Sequence, residues 1–245
     1  MASGPETLEN IRMTKRNLLL DALPREVYDK IEPNLERLSL GHGEILHYPG
    51  DTIRHVYFPI DCLISITVTM REGKTAEAGA IGNREMVGIN AFMGGKETTQ
   101  TEYIAQIPGE AMRVACGPLK EAFDRSKGVR DVILKYTQAY VAQLSQNTAC
   151  NRLHNLKQRF ARWLLEARDR VQSEELMLTQ EFASHMLGVR RAGVTEISRQ
   201  LEAEGLLKQS RGYTRIVDGR GVEATSCECY EVLGEEYNRL LGDGR

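Results

Sequence analysis

Arg190, Arg191, Thr195 and Arg199 recur at helical spacing on one short stretch of this chain. Charge of this kind usually marks nothing more than a solvated helix face, so the surrounding residues have to decide what it does. Thr179 is a good helix N-cap, because its hydroxyl can accept from a free N–H of the first turn. Phe182, Ala183, Met186 and Leu187 then form one apolar face. Gly188 can adopt the left-handed conformation that ends a helix and turns the chain. A second helix follows with Val194, Ile197 and Leu201 inward and the arginines largely outward. Two short helices about a tight turn are the pattern of a helix-turn-helix, whose second helix enters the DNA major groove. Double-stranded DNA is therefore the expected partner, and the arginines are expected to meet it.

The segment from Leu206 to Asp218 reads as a two-strand wing turning near Gly212, with Lys208, Arg211 and Arg215 on it. A charged hairpin is the plain reading. Its place beside the second helix favours contact with backbone phosphates.

Other groups that could do chemistry lead less far. Cys227-Glu-Cys229 offers half of a zinc site, and no His or Cys follows it. A packed pair is favoured, with thiol-based redox response as an alternative. No metal and no cofactor are expected. His42, His47, His55, His154 and His185 are scattered, and a structural or solvated role is favoured for each. The five cysteines are odd in number and dispersed, which argues against a disulfide framework. No nucleophile elbow or P-loop is present, so the chain does not read as an enzyme.

The net charge of −2 looks wrong for a DNA-binding chain, but it hides an asymmetry. Residues 151–217 carry 12 Lys and Arg against 8 Asp and Glu, whereas residues 218–245 carry 3 against 7. The basic segment is the one that holds the helix-turn-helix. No apolar run approaches the ~18 residues needed to span a bilayer. The N-terminal Met-Ala-Ser-Gly-Pro-Glu lacks a signal-peptide pattern. A cytoplasmic protein with no membrane association is expected.

These residues need a scaffold, and the chain of 245 residues, 41% of them hydrophobic, can supply one. Residues 1–35 read as short peripheral helices. From about 36 to 116, short apolar runs alternate with turn signals such as Pro49-Gly50-Asp51 and Glu72-Gly73-Lys74, which suggests an antiparallel barrel or jelly roll. Pro118 opens a helical region. A helix over 129–150 has no Gly or Pro and shows two apolar stripes, one for the roll and one for a partner helix. Val132, Ile133, Tyr136, Tyr140 and Leu144 are the candidate homodimer contacts. An amphipathic helix over 153–171 leads into the helix-turn-helix, and a final helix is expected over 221–241. The fold class is α+β, with a sensor domain at 1–128, a dimerisation helix at 129–150 and a winged helix-turn-helix at 151–245.

This order resembles the Crp/Fnr family of bacterial transcription regulators. The segments Cys150-Asn-Arg-Leu-His154, Arg162-Trp-Leu-Leu165, Met186-Leu-Gly-Val-Arg-Arg191 and Cys227-Glu-Cys-Tyr230 are similar to one subgroup of it. In the front half, His55-Val-Tyr-Phe-Pro59 and Gly82-Asn-Arg-Glu-Met-Val-Gly88 resemble its sensor domain. The resemblance implies a homodimer that binds pseudo-palindromic promoter DNA and contacts RNA polymerase. It also implies that Arg191 reads guanine through O6 and N7, and that Ala192 and Glu196 occupy base-reading positions. Phosphate contact is the alternative for Arg190. For Thr195 a thymine methyl, a phosphate and packing all remain open. Thr179 and Gln180, at the start of the first helix, complete the DNA-facing set.

Cyclic-AMP receptors of the family hold the ribose with a Gly-Glu pair and the phosphate with a later Arg-Ser pair, since a buried phosphate needs a counter-charge. Here Gly88 is followed by Ile89, and the later pair falls near Thr99 and Gln100. No arginine lies between Gly94 and Arg113. Cysteines that would hold an iron–sulfur cluster near the N-terminus are also missing, as the first cysteine is Cys62. An unidentified small-molecule effector at Gly88, Ile89, Thr99 and Gln100 stays possible, and the alternative is a regulator controlled by its expression alone. A further alternative is an interaction protein that kept the fold and lost DNA binding.

Overall fold

The computed structural model describes residues 16–94 and 99–242. Two short helices come first, α1 (Leu18–Asp21) and α2 (Arg25–Ile31). Asn17 caps α1 by accepting from the Leu20 N–H at 2.9 Å, and Pro24 precedes α2. The expected helical structure before residue 16 lies outside the described residues.

Seven strands follow: β1 (Glu36–Leu40), β2 (Ile45–His47), β3 (His55–Pro59), β4 (Leu63–Thr69), β5 (Thr75–Ile81), β6 (Glu102–Ile107) and β7 (Gly109–Ala115). They form two antiparallel sheets, ordered β1-β7-β3 and β2-β6-β4-β5. Leu40, Tyr57, Ile64, Ile66, Ile81 and Tyr103 join one buried cluster that draws on both sheets. This is the jelly roll that the alternation of short apolar runs predicts. The β4–β5 hairpin turns at Gly73, whose φ of 80° is costly for any residue with a Cβ. Strand β4 is buried continuously from Leu63 to Thr67. One of its faces meets the roll interior, while Leu63 belongs to the core of the C-terminal half.

After α3 (Cys116–Arg125) comes α4 (Lys127–Leu153), a helix of 27 residues that overruns the predicted 129–150 at both ends. Ser126 caps it. Two of its predicted dimer contacts need correction. Ile133 and Tyr136 are 1% and 0% exposed within their own chain, and the Tyr136 hydroxyl donates to the Met86 carbonyl at 2.9 Å. Val132 and Tyr140 are half-buried and also pack on the roll core, and Leu144 is half-buried. The periodicity that made these residues look like a seam is the seam with the roll. The exposed large apolar residues of α4 are Leu134, Val141 and Leu153.

Helix α5 (Leu156–Val171) starts with a reciprocal cap between Asn155 and Gln158. Every residue from Phe160 to Ala167 is buried, because the roll lies on one side of it and the C-terminal domain on the other. Then come β8 (Glu175–Met177), α6 (Gln180–Leu187), α7 (Arg191–Ala203), β9 (Leu207–Ser210), β10 (Tyr213–Ile216), α8 (Gly219–Thr225) and α9 (Cys229–Leu241). The wing has three strands in the order β8-β10-β9 rather than two. The predicted final helix is two helices, since Ser226 leaves the helical conformation with ψ 172°. One apolar cluster unites Phe160, Trp163 and Leu164 with Ala183, Leu187, Val194 and Leu201.

Candidate nucleic-acid interface

The two helices of the motif form as their caps dictate. Thr179 accepts from the Phe182 N–H at 3.1 Å. Gly188 closes α6 in the left-handed region, at φ 63° and ψ 36°. Val194 and Leu201 are fully buried and anchor α7 beneath its surface. Ser198 is buried with them, whereas Ile197 is only half-buried.

Arg191 is the first residue of α7 and Arg190 is its N-cap position. Arg191, Ala192, Thr195, Glu196 and Arg199 line one open surface, joined by Gln200 and Ala203. Arg190, Arg191 and Arg199 are exposed. None of them forms an ion pair with a described carboxylate, so the guanidinium donors are free for an external acceptor. The positive end of the α7 dipole adds to their attraction for phosphate. Thr195 is partly spent within the motif: its hydroxyl donates to Gln180 Oε1 at 2.5 Å and is within 3.0 Å of the Arg191 carbonyl. That bond ties α7 to the start of α6 and occupies Gln180 as well. Thr179 is committed to capping in the same way.

On the wing, Arg211 and Gly212 form the turn between β9 and β10, with Gly212 at φ 80°. Lys208, Arg211 and Arg215 are exposed and without an ion pair among the described residues. They are separate from the α7 surface and flank it. Tyr213, 42% exposed at the wing tip, carries no signal in the sequence that would single it out. Gln200 and Ala203 also lie outside the sequence-predicted set, although they continue the i, i+4 row of Glu196 and Arg199 and are legible from that spacing.

A family model described as a Crp-like helix-turn-helix domain matches residues 158–224. Among solved structures, FixK2 from Bradyrhizobium japonicum superposes with a TM-score of 0.67 at 14% identity, covering 79% of this chain and 98% of that one. A Crp/Fnr-family transcriptional regulator from Thermus thermophilus gives 0.62 at 18% identity, over 78% and 98%. The c-di-GMP-responsive global regulator CLP of Xanthomonas campestris gives 0.63 at 14% identity, over 80% and 100%. The chain carries a Crp-like helix-turn-helix domain within the fold of the Crp/Fnr-family regulators. No curated protein sequence matches it.

The candidate effector residues are largely committed to the fold. Gly88 has φ 98°, and a Cβ there would lie 3.0 Å from Val56 Cγ1. Ile89 is 2% exposed and packs with Leu19, Val56 and Met86. Thr99 is buried, its hydroxyl 2.9 Å from that of Thr101. Gln100 is exposed. No helix among the described residues is long and apolar enough to cross a membrane.

The structure also joins the two halves through buried charge that the sequence did not announce. Arg170 of α5 pairs with Glu85, which follows β5, and with Glu166 one turn back. Arg162 pairs with Glu166 and donates to Asn147 of α4 at 3.0 Å. Trp163 Nε1 donates to Glu77 of β5 at 3.3 Å and stacks edge-on against Phe182 of α6. One indole thus touches both the roll and the first helix of the DNA-facing motif.

Proposed function

We propose that the chain acts as a homodimer on pseudo-palindromic promoter sites, with α7 of each subunit in successive major grooves ~34 Å apart. The observation that carries this reading is the single open surface shared by Arg191, Ala192, Thr195, Glu196 and Arg199, whose guanidinium groups have no ion pair among the described residues. Glu196 beside them supplies an acceptor suited to cytosine N4. The wing residues Lys208 and Arg211 add phosphate contacts on the flank. Leu134 and Val141, seven residues apart on the solvent face of α4, supply an apolar strip for a second copy.

The reading includes independence from cyclic AMP. The residue at the ribose-binding position, Ile89, is packed in the core, and no arginine supplies the phosphate counter-charge. A change in the α4 pairing would set the distance between the two α7 helices, and RNA polymerase would meet the bound dimer at the promoter. The test is selection of duplexes from a randomised pool by the purified full chain, with and without cyclic AMP. A two-fold symmetric consensus bound equally in both conditions is the expected result. Recovery of no consensus would reject the reading.

A further inference from the structure

We propose that Cys150, His154, Cys227 and Cys229 bind one zinc ion that clasps the end of α4 to the C-terminal helices. Cys150 and His154 are four residues apart, at the end of α4 and at its C-cap. Cys227 precedes α9 and Cys229 is its first residue. One potential ligand atom from each of the four lies within 4.8 Å of all the others. Cys150 Sγ and Cys227 Sγ are 3.5 Å apart, as are Cys229 Sγ and His154 Nδ1. Tetrahedral zinc with Zn–S near 2.3 Å and Zn–N near 2.0 Å sets ligand atoms about 3.5–3.8 Å apart. Two edges of such a tetrahedron already stand close to that length, and no other separation exceeds 4.8 Å.

The surroundings are those of a metal site. His154 turns Nδ1 to the thiols while Nε2 lies 3.3 Å from the Glu228 carboxylate, the outer partner that orients metal-bound imidazoles. Gln146 Nε2 is 3.1 Å from Cys229 Sγ and can donate to a thiolate. Three thiolates and a neutral imidazole leave the zinc complex with one negative charge. Arg159 and Arg162 stand close enough to Cys150 and Cys227 to interact electrostatically with them. Each also holds a buried Nε with no hydrogen-bond partner. On binding, three S–H protons pass to solvent and no electrons move. The sequence hid this set because its two halves lie 77 residues apart, and Cys227-Glu-Cys229 takes its partners from upstream.

The clasp bears on domain geometry. His154 lies in the two-residue joint between α4 and α5, and α8, which leads into Cys227, packs on α5, so an ion tying α4 to this segment braces the joint. The test uses the untagged full chain. Elemental analysis should find one zinc per chain in the wild type and in the Cys62→Ser control. It should find none in Cys229→Ser or His154→Ala. Cobalt loading should give the visible bands of a tetrahedral site with thiolate charge transfer. His154→Cys, which supplies a fourth thiolate, should retain the ion, which separates ligation from a folding defect. Wild-type protein that stays metal-free after zinc loading and gives no cobalt spectrum would overturn the proposal. So would a Cys150–Cys227 disulfide as the isolated form.

Discussion

Glu85 and Arg170 meet in a two-point buried ion pair, Nε to Oε2 at 3.1 Å and Nη2 to Oε1 at 3.0 Å. One belongs to the roll and the other to the last turn of α5. Glu85 is 2% and Arg170 11% exposed at the side chain. Attraction to Glu85 and Glu166 outweighs burial and holds Arg170 charged. The backbone must come close for this pair to form: a Cβ on Gly82 would lie 2.3 Å from Arg170 Cβ.

Removing one partner strands the other charge. Glu85→Ala should destabilise the chain by about 3–5 kcal/mol, the usual cost of breaking a buried pair. Replacing both residues with leucine should cost less than that single change. Urea unfolding of the two variants and the wild type gives the comparison. Equal or greater loss in the double variant would show that the pair contributes beyond its own desolvation.

Stability should fall as pH rises through neutrality because of Glu77. Burial pushes its carboxyl up to about 7 from 4.5, against the opposing hydrogen bonds from Ser65 and Trp163. The folded chain therefore holds a proton that the unfolded chain releases earlier. The resulting stabilisation is complete below the ordinary glutamate range and is lost as pH rises through about 7. Glu77→Gln keeps a neutral side chain throughout. Relative to that variant, the wild type should lose on the order of 1–3 kcal/mol between about pH 5 and pH 9. Parallel unfolding curves for the two proteins across this range would show no such proton.

Arg191 and Arg211 should differ in kind. Arg191→Ala should cost ~1–3 kcal/mol per half-site and relax preference at one symmetric operator position. Arg211→Ala, at the wing turn, should weaken all sequences alike and lower the salt slope by about one unit for each phosphate it no longer neutralises. Selection from randomised operators and salt titration separate the two. An Arg191 variant that recovers an unchanged consensus would remove that residue from base reading.

Dimer contacts should track exposure rather than hydrophobicity. Val141→Glu and Leu134→Glu change side chains that are 54% and 53% exposed, so the fold should tolerate them while self-association weakens. Tyr136→Glu should unfold the roll instead, since its ring is fully buried. Light scattering beside circular dichroism distinguishes these effects.

Caps and turns are the most legible part of the chain. Thr179 and Gly188 act locally, and local chemistry is written in local sequence. The candidate DNA-facing surface follows, because one helix carries nearly all of it. What stays hidden depends on distance along the chain. Helix α4 has two apolar stripes, and nothing local says which faces the chain's own roll, so Ile133 and Tyr136 read as dimer contacts when they are core. Strand β8 is three residues long and gains its identity only by pairing with β10. Nothing local to α5 says that Arg170 will meet Glu85 of the roll. The Cys227 and Cys229 surroundings depend on α4 in the same way.

Leu63, Ala80 and Ile107 of the roll sit in the same apolar cluster as Trp163, Met186 and Val222. The stretch recognisable as a helix-turn-helix domain, 158–224, is consequently a smaller object than the body that folds. Cut out alone, it would lose Leu63, Ala80 and Ile107 from its apolar cluster and the Glu77 partner of Trp163. The matched domain and the apolar core it shares have different borders, and truncation of the C-terminal half should start from the second.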